Sequence, residues 1–531
     1  MTERIHTTES ATLATRLRRR LRSFEPMYLT LLGLLAIPSY LFDSLAALEI
    51  FEVFFFFLLW PFVSPLLDLA LRRGADEERE EPTDWIHMGN WREYAAWFLT
   101  MPLTFVNPLM LAQDFAQWLG TGVAFVRHRG RFPDAGSYDQ QTSYRLPFDG
   151  TWTVVNGSYD HDYSHSWFPV TQRYAYDFVL TDADGRTSPA GSGSAVDSYY
   201  CYDEPILAPA DGVVVDVFDT DFESPRGGGL SHPLKRDIRG CYAVIQHAPD
   251  EYSCLAHLVP GSVSVAPGDR VERGQEIGRC GHSGNSSEPH LHFQLQDHPR
   301  FELAAGLPIG FGTVDAAWPS ANADDPEHTG DESIGELLED APDDGRTYIT
   351  AGQRVAHVDR ADRGSSPDED DGEAVTVESA TDGYRSATGN GEGIAALQRG
   401  AFGTCVGGSV AFFGPIVASR ATVALLLAAG VALAVGWWVR AAVLQRDRYE
   451  SRPGGLGIAV GLALVAAAIR YGGAGSVLEI GTQTLGVVAY LAGFVGYVAL
   501  GEYEQRRSRE SFPSRDAALD GLASAALDAE D

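Results

Sequence analysis

Uncharged apolar runs lie near both ends of the chain, and a long polar segment separates them. A helix that crosses a bilayer needs about 20 apolar residues, and the runs at 421–439 and 481–500 reach that length. The other runs are shorter or are interrupted by polar residues and proline: 27–42, 53–67, 94–113 and 454–469. The two runs nearest the N-terminus predict short spans or a re-entrant pair, with buried soluble helices as the alternative. The pattern therefore predicts α-helical transmembrane segments on both sides of a separate domain.

The segment between these runs has the pattern of a β-rich domain. Short apolar stretches alternate with Gly, Pro, Asp and Ser, for example at 212–218, 242–246, 252–258 and 291–295. This predicts many short strands joined by tight turns. An acidic stretch with few apolar residues follows and predicts a flexible tether. The expected organisation is a basic segment with apolar helices at 1–126, a β-rich domain at 127–357, an acidic flexible linker at 358–402, C-terminal transmembrane helices at 403–503 and an acidic tail at 504–531.

The charge of the chain limits its partners. It has 40 Lys and Arg residues against 72 Asp and Glu residues, a formal net charge of -32. Such acidity disfavours sequence-independent binding of nucleic acid, which needs a basic surface. Lys235 is the only lysine. Lysine depletion with excess carboxylate predicts a salt-adapted, haloarchaeal-like protein, with a GC-rich genome as the alternative.

Arginines beside the apolar runs predict an orientation in the membrane, because positively charged loops stay on the cytoplasmic side. The arginines at 16–22 mark a cytoplasmic N-terminus, and no cleavage site typical of a signal peptide follows them. Arginines at 440–452 and 506–509 mark two further cytoplasmic ends. Three spans on each side of the β domain satisfy these marks and place the domain outside the cell. Without a span at 94–113, the N-terminal side alone would leave the domain inside.

The strongest chemical signal is the sequence Pro289-His290-Leu291-His292-Phe293. Residues two apart in a strand face the same side, so His290 and His292 share one face, and paired imidazoles suit zinc. His257 lies on another predicted strand, and Asp177 supplies a carboxylate between aromatic and apolar residues. The five cysteines contain no CxxC pair, which argues against a Cys-rich zinc site. Neither an HExxH helix motif nor a Gly-x-Ser-x-Gly motif lies near these residues.

Residues from about 150 to 310 resemble the lysostaphin/LytM-type zinc metalloendopeptidases, the murein endopeptidases. The matching segments follow the family's order: 206–214 (ILAPADGVV), 240–247 (GCYAVIQH, with Cys241 where the family usually has Asn), Ala256-His257-Leu258, 268–278 (GDRVERGQEIG), and Ser283-Gly284-Asn285 leading to His290-Leu291-His292-Phe293. The resemblance implies the family's duplicated hybrid motif fold, a mainly antiparallel β-sheet of half-barrel form. It also implies a catalytic Zn²⁺.

The resemblance further implies roles for individual residues. Asp177 and His292 would be zinc ligands. His257 and His290 would be the catalytic histidines that position and deprotonate the water and stabilise the oxyanion.

One position departs from the family pattern. The remaining zinc ligand is a His four residues before the Asp, and this chain has Arg173 there. A subset of relatives carries its His a short loop upstream, and His165 fits that variant best. His161 is the second choice for the third ligand.

The expected function is that of a membrane-anchored zinc metalloendopeptidase that hydrolyses peptide bonds of a cell-wall or cell-surface substrate. Its partners would be that peptide or wall polymer and the lipid bilayer. A haloarchaeal host would lack murein, which leaves another cell's wall or a surface-layer protein as targets. The first alternative is a degenerate, non-catalytic binding or regulatory module, favoured by Arg173. The second treats the membrane helices as the functional part and the β domain as a sensor.

Overall fold

The computed structural model describes residues 26–40, 42–60, 107–164, 166–229, 231–312, 314–318, 345–358, 391–444, 453–471 and 481–512. The chain forms two compact units, Met1–Arg79 and Glu80–Asp531. In the first unit the described residues are helical, in the 3-10 helices Pro26–Leu29, Leu34–Tyr40 and Asp43–Leu59 and one α-helical turn, Thr30–Gly33. They cover most of the first apolar run and the beginning of the second, whose residues 61–67 lie outside the described part.

Among its described residues, the second unit combines an antiparallel sheet with five α-helices. The helices are α1 (Pro108–Arg127), α2 (Gly391–Val417), α3 (Arg420–Leu444), α4 (Pro453–Tyr471) and α5 (Thr482–Ser511). The strands are β1 (Thr151–Asn156), β2 (Tyr176–Val179), β3 (Pro205–Leu207), β4 (Gly212–Phe218), β5 (Cys241–Ala248), β6 (Glu251–Leu258), β7 (Arg270–Val271), β8 (Glu276–Arg279), β9 (Leu291–Gln296), β10 (Gly306–Leu307), β11 (Val314–Ala317) and β12 (Arg354–His357). The predicted mainly β domain is thus confirmed.

The main sheet has the strand order β11-β12-β1-β2-β9-β6-β5-β4-β7, with β10 paired to β9, and β3 and β8 form a separate pair. All these strand pairs are antiparallel. Neighbours in the sheet such as β2 and β9 are distant in sequence. The order therefore brings the carboxylate-bearing strand β2 beside the histidine-bearing strand β9.

Both faces of the central strands are covered. Leu291, Phe293 and Leu295 of β9 belong to the main core of the domain. On β5 and β6 the opposite face is aromatic and apolar, and Trp437 of α3 packs against it. Since side chains alternate along a strand, one side of the sheet faces its own core and the other faces the helices.

Helix α1 joins the sheet to the other helices. Asn107 caps it, accepting a hydrogen bond from the N–H of Leu109 at 3.0 Å, and Pro108 occupies the first turn, where it is tolerated. Gly120 allows very close packing, because a Cβ there would lie 1.7 Å from the carbonyl oxygen of Glu302. At the end of the 94–113 run, Gln113 donates to Glu302 at 3.3 Å and accepts from the N–H of Ile238 at 3.0 Å, so this end packs against the β domain. Helix α1 is not among the described helices long and apolar enough to cross a membrane. Residues 94–106 lie outside the described part.

Two predicted boundaries differ from the structure. The segment 358–402 was predicted to be a flexible linker, but α2 begins at Gly391 inside it. Contacts with the folded domain explain this helical start, since Gln398 donates to Glu504 at 2.9 Å and Phe402 is buried. Helix α5 likewise continues to Ser511, into the predicted acidic tail.

The contacts of α5 also contradict the predicted combination of a cytoplasmic C-terminus and an outside domain. Arg300 of the β domain donates to both carboxylate oxygens of Glu504 at 2.8 Å, and Gln505 donates to the Asp297 carbonyl at 2.8 Å. If the apolar part of α5 crosses a bilayer, its C-terminal end and the β domain emerge on the same side. In that case the two predicted placements cannot both hold.

Candidate active site

Four residues that the sequence singled out lie together on the sheet. Asp177 on β2 is directly opposite His292 on β9, and His292 is opposite Ala256, next to His257 on β6. His290 precedes β9 by one residue. Each of the four is only 4–6% exposed. The antiparallel register thus gathers three imidazoles and one carboxylate into one buried cluster.

Asp177 is the centre of this cluster. Its Oδ1 lies 2.8 Å from Nδ1 of His292 and 3.7 Å from Nε2 of His290. Asn156 of the adjacent strand β1 donates to Oδ2 at 3.0 Å. An imidazole nitrogen and a carboxylate oxygen this close need a positive centre between them, either a proton or a metal ion. Asp177 and His292 therefore form a pair of nitrogen and oxygen donors that suits zinc.

Backbone carbonyls orient the other two imidazoles. Nδ1 of His257 lies 2.8 Å from the carbonyl oxygen of Ser283, and Nδ1 of His290 lies 2.7 Å from that of Glu288. A carbonyl only accepts, so in each ring the Nδ1–H donates, and Nε2 is the nitrogen without a hydrogen while the ring is neutral. Their ring centroids are 4.7 Å apart. The two histidines can therefore take up or release protons at neighbouring Nε2 atoms.

Burial sets the protonation of these rings. It lowers the pKa of His257 well below its ordinary value, and the neighbouring His290 and His292 lower it further. Burial also lowers the pKa of His290. For His292, burial acts in the same direction, but the hydrogen bond to Asp177 outweighs it and the pKa is raised. At neutral pH, His257 and His290 are thus neutral imidazoles, the form that accepts a proton.

A β-bulge aims the side chain of His257. Cys241 and Ala243 on β5 pair with Leu258 and Leu255 on β6, so β6 carries one extra residue there. His257 has a left-handed φ of +61°, and its N–H donates to the Arg239 carbonyl at 2.8 Å. Bulges of this kind re-direct side chains at sites, and the conformation is costly for a non-glycine residue.

Two glycines let the loop before β9 approach the start of β5. Gly240 and Gly284 both have positive φ, and a Cβ on Gly284 would lie 2.2 Å from the nitrogen of Gly240. The hydroxyl of Ser283 accepts from the N–H of Cys241 at 2.8 Å and donates to the Leu258 carbonyl at 2.6 Å. This close packing holds the Ser283 carbonyl where it orients His257.

The third expected ligand is not among the described residues. His165 lies outside them, and His161, the second choice, has its ring edge-on to Trp167 at a centroid distance of 5.3 Å. Arg173, at the family's usual ligand position, stacks its guanidinium on Trp167 at 4.8 Å and on Phe132 at 5.1 Å. Within the described stretches, no group of three His, Cys, Asp or Glu side chains is arranged to hold a metal ion.

Sequence reasoning missed two buried amides that contact the cluster. Asn156 donates to Asp177 and to the hydroxyl of Ser166, both at 3.0 Å. Gln294 accepts from Nε2 of His292 at 3.0 Å. Gln294 is two residues after His292, so the period of the strand places it on the same face. The two-residue spacing from His292 could therefore have predicted Gln294 as part of the site. No sequence pattern near Asn156 predicts its contact with Asp177.

The orientation of the Gln294 amide follows from its other partners. Its Nε2 donates to the Thr171 carbonyl at 3.0 Å and to Oε1 of Gln296 at 2.7 Å, and Gln296 in turn donates to the His298 carbonyl at 2.7 Å. Both carbonyls can only accept, so Oε1 of Gln294 must face His292. His292 therefore carries a hydrogen on Nε2 and presents Nδ1 to Asp177.

Residues 192–301 match the model of Peptidase family M23. The chain thus carries a Peptidase family M23 domain. The match includes His257, His290 and His292, while Asp177 lies before it.

Two curated relatives are peptidoglycan DD-endopeptidases of Vibrio cholerae serotype O1. ShyA is 28% identical over 193 residues, which cover 35% of this chain and 35% of ShyA. ShyB is 28% identical over 206 residues, which cover 38% of this chain and 40% of ShyB. The similarity thus spans well under half of each protein.

Solved structures give partial likenesses. A zinc-containing peptidase from Vibrio cholerae is 24% identical, with a TM-score of 0.20, over 34% of this chain and 45% of that one. Lysostaphin from Staphylococcus simulans is 17% identical, with a TM-score of 0.19, over 30% of this chain and 51% of that one.

Proposed function

We propose that the M23 domain is a zinc-dependent endopeptidase, anchored to a membrane by the C-terminal helices. The observation that supports this most is the pairing of Asp177 Oδ1 with His292 Nδ1 beside two imidazoles whose Nδ1–H groups donate to backbone carbonyls. Peptide hydrolysis needs an activated water and groups that move protons, and these residue types supply both requirements.

In this proposal Asp177 and His292 hold the zinc together with a third ligand. When bound, zinc would lower the pKa of a water and polarise the scissile carbonyl. His165 is the proposed third ligand. Its sequence neighbour Ser166 shares the Asn156 amide with Asp177, which supports a position close to the metal.

The neutral imidazoles of His257 and His290 then carry out the proton transfers. A water between them would give a proton to one Nε2, and the same nitrogen would return it to the leaving amine. The Ser283 and Glu288 carbonyls hold both rings in the required tautomer throughout. Burial keeps bulk water from the cluster and strengthens the electrostatic interactions within it.

The proposed substrate is an extended peptide of the peptidoglycan type, because both curated relatives are named peptidoglycan endopeptidases. A second candidate function is a non-catalytic binding module. Arg173 favours it, since this residue replaces the usual ligand and its guanidinium is taken up by Trp167 and Phe132.

Zinc content and peptide hydrolysis of the purified full chain test these proposals together. We expect about one zinc per chain and release of peptides from cross-linked peptidoglycan, both abolished by a chelator. His165→Ala should lose the zinc, and the matched His161→Ala should keep it. A wild-type protein without zinc or hydrolysis would favour the binding module. Zinc that survives His165→Ala but not His161→Ala would move the third ligand to His161.

Gln294 offers a second test of the metal site. Gln294→Met removes the acceptor for His292 Nε2 while keeping the side chain's size, and we expect zinc affinity to fall about 10- to 100-fold. Gln246→Met is the control, because Gln246 is equally buried in the sheet but bonds to the Ala248 carbonyl and the Ser508 hydroxyl, outside the chain that orients Gln294. Competition with a chromophoric chelator measures both affinities. Equal losses in the two variants would mean that Gln294 acts only through stability.

A further inference from the structure

Helices α2 to α5 run alternately up and down, and the β domain contacts one end of this bundle. At the domain end, Gln398 near the start of α2 donates to Glu504 near the end of α5. At the opposite end, Gln483 of α5 donates to the Phe412 carbonyl of α2 at 3.4 Å. The end that contacts the β domain is the domain end of the bundle, and the opposite end is the far end.

The other two helices have the same alternation. Arg420 at the start of α3 donates to the Ile469 carbonyl at the end of α4 at 2.7 Å, at the far end. Trp437, late in α3, packs against Phe218 of the sheet and stacks with Arg236. The C-terminal ends of α3 and α5 therefore both lie at the domain end.

The interior of the bundle is packed through small residues. A Cβ on Gly461 would lie 2.4 Å from the Gly400 carbonyl oxygen, and one on Gly486 would lie 2.5 Å from the nitrogen of Phe412. Close backbone contact at glycines is typical of helices that associate in lipid, where no hydrophobic effect drives them together.

The outside of the bundle is apolar and exposed. Only 17% of the apolar stretch Arg420–Val439 and 28% of Thr482–Glu510 is buried within the protein. A core helix of a soluble protein would be mostly buried. The large exposed side chains of the bundle include Leu425, Leu426, Leu433, Val460, Leu464, Val488 and Val495. An apolar surface of this extent needs an apolar partner, and hydrocarbon chains of lipid fit helices of this length.

Arginines are distributed unequally between the two ends of the bundle. Arg440 lies near the end of α3, and Arg506, Arg507 and Arg509 lie near the end of α5, both at the domain end. The sequence between α3 and α4 adds Arg446, Arg448 and Arg452. At the far end, the helix termini carry Arg420 and Arg470. The sequence between α2 and α3 (418–419) and between α4 and α5 (472–480) contains no Lys or Arg. Basic residues near span ends stay on the cytoplasmic side.

We propose that α2 to α5 are embedded in a lipid bilayer with the M23 domain on the cytoplasmic side. The domain is held there by direct contacts of Glu504, Gln505 and Arg509 with its loops, so it cannot lie on the side opposite to the arginines. Of the two incompatible placements predicted from sequence, the cytoplasmic C-terminus is kept and the outside domain is given up. Peptides available at the inner face of the membrane then become the accessible substrates, and an assembled wall lies on the other side.

Cysteine labelling of the full chain in cells tests this orientation. The five native cysteines are buried, so exposed serines provide new labelling sites. Ser419→Cys places a thiol at the far end, and Ser192→Cys places one on the M23 domain, both at exposed positions. A membrane-impermeant maleimide should label Ser419→Cys in intact cells and Ser192→Cys only after permeabilisation, with the wild-type chain unlabelled.

Labelling of Ser192→Cys in intact cells would overturn the proposal, whether or not Ser419→Cys reacts too. Labelling of Ser419→Cys only after permeabilisation would overturn it equally. Neither readout depends on zinc or on catalysis, so the orientation stands or falls separately from the proposed peptidase activity.

Discussion

His292→Ala is expected to abolish both zinc binding and peptide hydrolysis. Structural zinc sites bind with about 10–16 kcal/mol, so loss of one ligand in three removes roughly 3–5 kcal/mol, or about 10²- to 10⁴-fold in affinity. His292 contributes more than a ligand, because its ring also connects Asp177 to the buried chain of Gln294 and Gln296. Metal analysis of the purified full chain after dialysis measures the effect.

The control for this change is His247→Ala. His247 is a buried histidine on β5 whose nitrogens contact the Asp211 carbonyl and the hydroxyl of Ser253, away from the cluster. Its replacement should lower the melting temperature and leave about one zinc per chain. If His292→Ala retained full zinc while His247→Ala did likewise, the ligand assignment would be wrong.

The second large effect is expected from His257→Ala and His290→Ala. Each should lower kcat by about 10²- to 10⁴-fold, the range for loss of a positioned acid–base group, while zinc content stays unchanged. The two effects should separate because the Nδ1 atoms of both rings donate to backbone carbonyls, and the proposed role of their Nε2 atoms is proton transfer and not zinc binding. Kinetics on a soluble cross-linked peptide, with zinc measured on the same samples, would show it.

This pair of variants also separates catalysis from metal binding. Loss of zinc in His257→Ala or His290→Ala would make that histidine a ligand. Unchanged kcat in both variants would remove the two histidines from the mechanism. His247→Ala again controls for the loss of a buried imidazole.

Much of the candidate site was predictable because its signals are local. The predicted strand at 212–218 coincides with β4, and the strand at 291–295 lies within β9. Alternation along β9 placed His290 and His292 on one face, and both imidazoles approach Asp177 in the structure. The roles of these residues stay predictions, as does the adaptation to salt.

Other features of the site could not be predicted from local sequence patterns. The bulge that gives His257 its positive φ depends on the register between β5 and β6. The stacking of Arg173 on Phe132 and Trp167 depends on how α1 and its following loop meet the sheet. The flexible linker was predicted to extend to residue 402, but residues 391–402 are helical. An acidic composition indicates only that a stretch is soluble, whereas contacts with the rest of the protein decide whether it forms a helix.

The sequence by itself determined that a β-rich domain stands between apolar helices, and that its histidines belong to a peptidase pattern. Period-two alternation and short motifs are properties of neighbouring residues, so no fold is needed to find them. Only the tertiary structure decided which groups surround those histidines and at which end of the helices the domain lies. Asp177 and His292 are 115 positions apart, and Asp297 and Gln505 are 208 apart. Contacts over such separations depend on how strands and helices pack, which local patterns do not encode.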